Sequence, residues 1–70
     1  MISEQTIGAN IRRRREAAGL TVTALARRAG LTKGTVSKIE TGKVSPPIST
    51  LLRIAQAVDA PLAEFFAEPG

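Results

Sequence analysis

Seventy residues, 43% of them hydrophobic, are enough for one compact core and no more. The absence of cysteine and histidine excludes disulfides, thiolate chemistry and the usual catalytic imidazole. Ten Lys and Arg against six acidic residues leave a net charge of +4, which on so small a body points to an anionic partner.

In chain order, a first helix is predicted to start between Ser3 and Thr6, either of which can cap it. Ile7, Ile11, Ala18 and the following Leu20 mark its inner side, and Gly19 ends it. The opening MISEQTIGAN is polar and carries no charged-then-apolar signal pattern, so a cytoplasmic location is the expectation. A second helix spans Val22 to Ala29 with Thr21 as N-cap; Val22, Leu25, Ala26 and Ala29 fall at i, i+3, i+4, i+7, one helical face. Gly30 follows where a helix end needs positive φ, and Thr32 stands ready to cap a third helix from Lys33 to Thr41, with Val36 and Ile39 inward and Gly42 stopping it. Lys43 to Pro47 is a loop, because Pro46 and Pro47 cannot lie inside a helix. A fourth helix is read from Ile48 to Val58, with Ile48, Leu51, Leu52, Ala55 and Val58 on one face. A short fifth covers Leu62 to Phe66 behind Pro61, and Ala67 to Gly70 is a fraying tail or the start of a linker. The whole of 1–70 is read as one domain. No apolar run approaches membrane-spanning length.

Two short helices joined by so tight a turn, from Thr21 to Thr41, form a helix-turn-helix. The outward positions of its second helix are Lys33, Gly34, Thr35, Ser37, Lys38 and Thr41: small, polar and basic, as suits a helix lying in a DNA groove. The spacing of Ala26, Gly30 and Val36, the segment from Ile39 to Lys43 and the block SPPISTLLRIAQAV together resemble the Cro/lambda-repressor (XRE) family over Ile7 to Phe66. The resemblance implies an all-α, compact five-helix DNA-binding domain and sequence-specific binding of duplex DNA as a transcription regulator, most often a repressor. It implies base reading by Lys33, Gly34, Thr35, Ser37 and Lys38, and a homodimer on a near-palindromic site. The fifth helix with Phe65 and Phe66 is the candidate contact between the two copies, with at least one of the two expected to pack in the core. An antitoxin or protein-interaction module of the same fold is the alternative.

Phosphate oxygens call for hydroxyls and cations at the edges of the reading helix, and Thr21, Thr41 and Lys43 are assigned there, with Arg12 from the first helix. Val22 replaces the glutamine common in the family and cannot make its polar contact. Arg12 to Arg15 form a run, but successive helical residues lie about 100° apart and cannot share a face; Arg13 is read as surface charge, and Arg14 replaces a leucine common in the family. Arg15 extends the Ile7–Ile11 stripe by one turn and Glu40 extends the Val36 side by one, so both border the core and are expected to pair, as they commonly do in the family. Ala26 is small where the second and third helices cross. Catalytic residues, metal ligands and cofactors are not expected. With Phe65 and Phe66 as its sole aromatics, the chain suits duplex DNA better than stacked single strands. The ending resembles the hinge after which many members carry a ligand-sensing domain.

Overall fold

The computed structural model describes residues 2–68, whose regular secondary structure is all helical, with no strand among them. Four α-helices, α1 (Glu4–Ala17), α2 (Val22–Ala29), α3 (Lys33–Glu40) and α4 (Ile48–Ala57), are followed by a 3-10 turn, Leu62–Phe66. The expected fifth α-helix is therefore that 3-10 turn, as fits five residues entered from Pro61 and too few for a stable α-helical ladder. Helix α3 stops at Glu40, with Thr41 as its cap, and α4 stops at Ala57, with Val58 as its cap.

The helix starts follow from side-chain oxygens. Ser3 accepts from the Thr6 backbone N–H at 3.2 Å, Thr21 from Ala24 at 3.0 Å and Thr32 from Thr35 at 3.1 Å. The ends share one geometry. At Gly30, φ is +69°, and the next amide, Leu31 N–H, reaches back to the Ala26 carbonyl at 2.8 Å. The same closure recurs after α3, where Gly42 takes φ +75° and Lys43 N–H donates to the Lys38 carbonyl at 2.9 Å. After α4 the left-handed position is held by Asp59, at φ +55°, with Ala60 N–H on the Ala55 carbonyl at 3.0 Å. A side chain is costly in that conformation, and a carboxylate beside helix carbonyls adds repulsion. Asp59→Gly should therefore raise stability by about 0.5–1 kcal/mol, read from the urea midpoint at unchanged slope.

Ile11, Leu25, Val36, Ile54 and Phe65 are fully buried and Ile39 nearly so. Helix α1 packs on α3 and the 3-10 turn, and α2 packs on α3 and α4. Three residues read as inward are not: Ala18, Ile48 and Leu52 are exposed, the last two at 57% and 46%. Leu51, Ala55 and Val58 are buried as expected, and the inner stripe of α4 is rotated to take in Ile54, which the expected face omitted.

Two further polar or small residues of α1 prove internal. Gly8 is buried, and a Cβ there would fall on the Ile39 carbonyl oxygen and within 2.6 Å of that of Glu40, so α1 crosses the end of α3 backbone to backbone. Asn10 is 4% exposed; its amide N–H donates to the carbonyls of Phe65 at 2.9 Å and Ala67 at 2.8 Å. Ala67 is thus tied to α1 rather than frayed, while Pro69 and Gly70 of the expected tail lie outside the described residues. Arg14 reaches the same segment through Glu64 at 2.6 Å.

Candidate nucleic-acid interface

The outer side of α3 carries Lys33, Gly34, Ser37 and Lys38, all exposed, with Thr35 half-buried among them. The inner side is tied down by Val36 and Ile39, so the outer face is fixed in rotation. At the start of the helix, Thr32 Oγ1 accepts from Thr35 N–H and donates its proton to Thr35 Oγ1 at 2.8 Å. Thr35 therefore acts as acceptor inward and keeps its own hydroxyl proton for an outside partner. No atom lies within 4 Å of where a Gly34 side chain would begin, so this glycine leaves open space on the surface of α3.

The residues assigned to phosphates separate on their hydrogen bonds. Thr21 Oγ1 accepts from Ala24 N–H, which leaves its proton able to donate outward. Lys43 is exposed and its backbone is pinned to the end of α3. Thr41 differs: its hydroxyl donates to the Ser37 carbonyl at 2.9 Å, so its one proton closes the helix end and is spent there. Arg12 is exposed, with Nε donating to Glu16 Oε2 at 3.5 Å one turn along α1. At side-chain exposures of 63% and 55% that pair holds Arg12 weakly and yields to a phosphate at little cost. Arg13 donates to Asn10 Oδ1 at 2.9 Å and serves the inner polar cluster. Val22 is half-buried against the core, so the place of the family's glutamine is used for packing.

The tilt of α3 is set from behind. Arg15 Nε and Nη2 donate to the Glu40 carboxylate at 2.7 and 3.1 Å, and Nη1 donates to the Leu20 carbonyl at 2.8 Å. The two side chains are 11% and 6% exposed. The hydrogen bonds it donates to Glu40 hold the Arg15 guanidinium above its already high ordinary pKa, outweighing burial, which pulls the other way. A raised pKa stabilises the fold at every pH below the ordinary value, so Arg15 remains a cation throughout the range in which proteins are handled. Ala26, 4% exposed, is buried in α2, which packs on α3 and α4, and Gly30 makes the turn between α2 and α3.

Charge is distributed unevenly along the chain. From Gly19 to Val58 there are six cations, Arg27, Arg28, Lys33, Lys38, Lys43 and Arg53, and a single carboxylate, Glu40, which is engaged by Arg15. Arg27, Arg28 and Arg53 were not among the residues singled out from sequence; the missing acids over this stretch were the available signal. No group of three or more potential metal-ligating side chains occurs among the described residues, and no helix there is long and apolar enough to cross a membrane.

Residues 6–65 match the family described as Helix-turn-helix domain. The HTH-type transcriptional regulator PuuR of Escherichia coli (strain K12) is 44% identical over 55 residues, covering 79% of this chain and 30% of the relative. The chain thus spans under a third of that regulator's length. Among solved structures, the restriction-modification controller protein C.AhdI from Aeromonas hydrophila superposes with a TM-score of 0.87 at 30% identity, over 90% of this chain and 96% of that one. The N-terminal DNA binding domain of SinR from Bacillus subtilis gives 0.84 at 28% identity, over 91% and 94%. An all-helical fold with a capped, glycine-hinged α2–α3 pair and a basic outer α3 agrees with these matches: the chain belongs to the Cro/lambda-repressor-like helix-turn-helix family of DNA-binding transcription regulators.

Proposed function

We propose that this chain is one sequence-specific duplex-DNA-binding domain of a cytoplasmic transcription regulator acting as a repressor. The observation that carries the reading is the stretch from Gly19 to Val58, with six cations and one internally engaged carboxylate around a rotationally fixed α3. Lys33, Gly34, Thr35, Ser37 and Lys38 meet base edges, Lys33 and Lys38 donating to guanine O6 and N7 and the Thr35 methyl meeting thymine. Thr21, Lys43 and Arg12 take phosphates, and Thr41 serves by fixing the end of α3.

One α3 spans only a few base pairs, so two copies on a near-palindromic site are needed for useful specificity. Phe65 is fully buried and belongs to the core, which leaves half-buried Phe66 of that pair for the contact between copies. Val44, Ile48 and Leu52, at 39%, 57% and 46% exposure, offer further uncovered apolar surface. A groove of about 520 Å³ past Leu52, floored by Ala60 and Leu62, continues it. A ligand-sensing domain following the hinge accords with the short span of this chain on PuuR. Tight one-to-one binding to a single half-site would contradict the paired arrangement.

Selection of bound duplexes from a random pool, followed by titration in salt, tests the reading. Affinity should fall at least about tenfold between about 50 and 200 mM salt, the slope for two or more phosphate contacts. Lys33→Ala and Lys38→Ala should each cost about 1–3 kcal/mol on the selected site and relax preference at one or two positions. Lys43→Ala should weaken all sequences alike. A flat salt response, or equal losses on selected and random DNA for all three lysines, would refute it.

A further inference from the structure

We propose that Arg53 is a second phosphate grip on duplex DNA, placed at the amino end of α3 as Lys43 is placed at its carboxyl end. The proposal rests on the DNA-binding reading above. Arg53 leaves α4 on the α2 side, and its Nη1 comes within 3.5 Å of where a Cβ on Gly30 would stand. The guanidinium therefore lies over the α2–α3 turn, where the negative end of the α2 dipole favours a cation. Yet Arg53 is exposed and makes no hydrogen bond or ion pair with any described residue, and the same holds for Arg27 and Arg28 in the last turn of α2. Glu16, Glu40 and Glu64 are each paired with an arginine of α1. Arg53 thus reaches the turn with its five N–H donors unspent.

The spacing suits the two edges of a groove. Helix α3 has eight residues and so runs about 12 Å, close to the roughly 12 Å width of the B-DNA major groove. Lys43 is fixed just beyond one end by its backbone bond to Lys38, and the Arg53 guanidinium lies beside Gly30, three residues before Lys33 and the other end. With α3 in the groove, the two cations face the sugar–phosphate walls on opposite sides. An acidic protein surface is the other anionic partner such a residue could take. Duplex DNA is favoured because Arg53 continues the series of Lys33, Lys38 and Lys43 with no free carboxylate between them.

The test is fluorescence anisotropy with the full chain on a selected duplex and on a random one, from about 50 to 200 mM salt. Arg53→Gln should lower affinity about three- to tenfold on both duplexes alike and reduce the salt slope by about one per bound copy. Arg53→Lys should keep the slope, and the thermal midpoint of Arg53→Gln should match wild type. An unchanged slope in Arg53→Gln would overturn the proposal and leave an acidic protein as the partner. A loss confined to the selected duplex, or a lowered midpoint with unchanged slope, would overturn it too, by making Arg53 a specificity or packing residue. If the wild-type chain binds the selected duplex and only these results fail, the phosphate grip falls while the DNA-binding reading stands. If wild type binds no duplex, that reading itself falls.

Discussion

Gly8→Ala should destabilise the domain by at least about 2 kcal/mol, toward the upper end of what overpacking costs. Helix propensity alone says the reverse, because alanine in mid-helix is worth about 0.5–1 kcal/mol over glycine. The sign is decided by what the methyl meets. Its neighbours are the backbone carbonyl oxygens of Ile39 and Glu40, not the free end of a side chain, so neither can rotate away. Helix α1 must back off from α3 as a body, which loosens Ile11 and strains the Arg15–Glu40 contact together. In a chain of this size, whose core supplies only about 3–5 kcal/mol, that is a large share of the total. Chemical denaturation gives the number directly. A variant as stable as wild type would mean that the α1–α3 crossing is softer than described. Gly34→Ala is the internal comparison: with open space around it, the same substitution carries no steric cost there.

Breaking the Arg15–Glu40 pair should cost more, about 3–5 kcal/mol, because it strands a charge that is nearly out of water. The two halves are unequal. Arg15→Met removes three hydrogen bonds and leaves the Glu40 carboxylate, 6% exposed, without its cation, while the Leu20 carbonyl also loses its donor. Glu40→Gln keeps an acceptor for Arg15 and leaves the Leu20 bond in place, so it should be the milder. A double-mutant cycle on Arg15→Met and Glu40→Gln should show coupling well above the roughly 0.5 kcal/mol expected of independent sites. Because the pair anchors the end of α3, variants that still fold should bind the selected duplex less tightly. Zero coupling would reduce the pair to coincidence. The exposed Arg12–Glu16 pair, removed in the same way, should change stability by no more than about 0.5 kcal/mol.

The parts of the fold that were legible in the sequence are those written in local chemistry. Thr21 and Thr32 announce helix starts because a hydroxyl before an apolar-periodic run has one evident use, and Gly30 and Gly42 announce ends for the same kind of reason. Arg15 and Glu40 could be paired in advance because each extends a buried stripe by one turn. Helix α4 shows where such reasoning stops. Its apolar residues support two helical stripes, Ile48–Leu52 and Leu51–Ile54–Ala55–Val58, and choosing the buried one requires knowing how α2 and the 3-10 turn lie against it. Asn10 and Gly8 were invisible for a related reason. One bonds carbonyls 55 and 57 residues away, the other admits a backbone from a different helix, and neither leaves a periodic trace. Arg53 is a lone charge on an exposed face until Gly30 is seen beneath it.

The Asn10 clamp sets an order of events during synthesis. Helix α1 leaves the ribosome before its partners: Glu40, the partner of Arg15, is made 25 residues later, and the carbonyls held by Asn10 come 55 and 57 residues later. The α2–α3 pair, by contrast, can close as soon as its own short stretch has emerged. Closing the long loop costs little more stability than closing a short one, since the entropy grows only with the logarithm of length. The cost is in time, because distant contacts must await the chain that makes them. Helix α1 thus meets α3 before it meets the Leu62–Phe66 turn, and the part of its surface that packs on that turn stays open until the turn has been made.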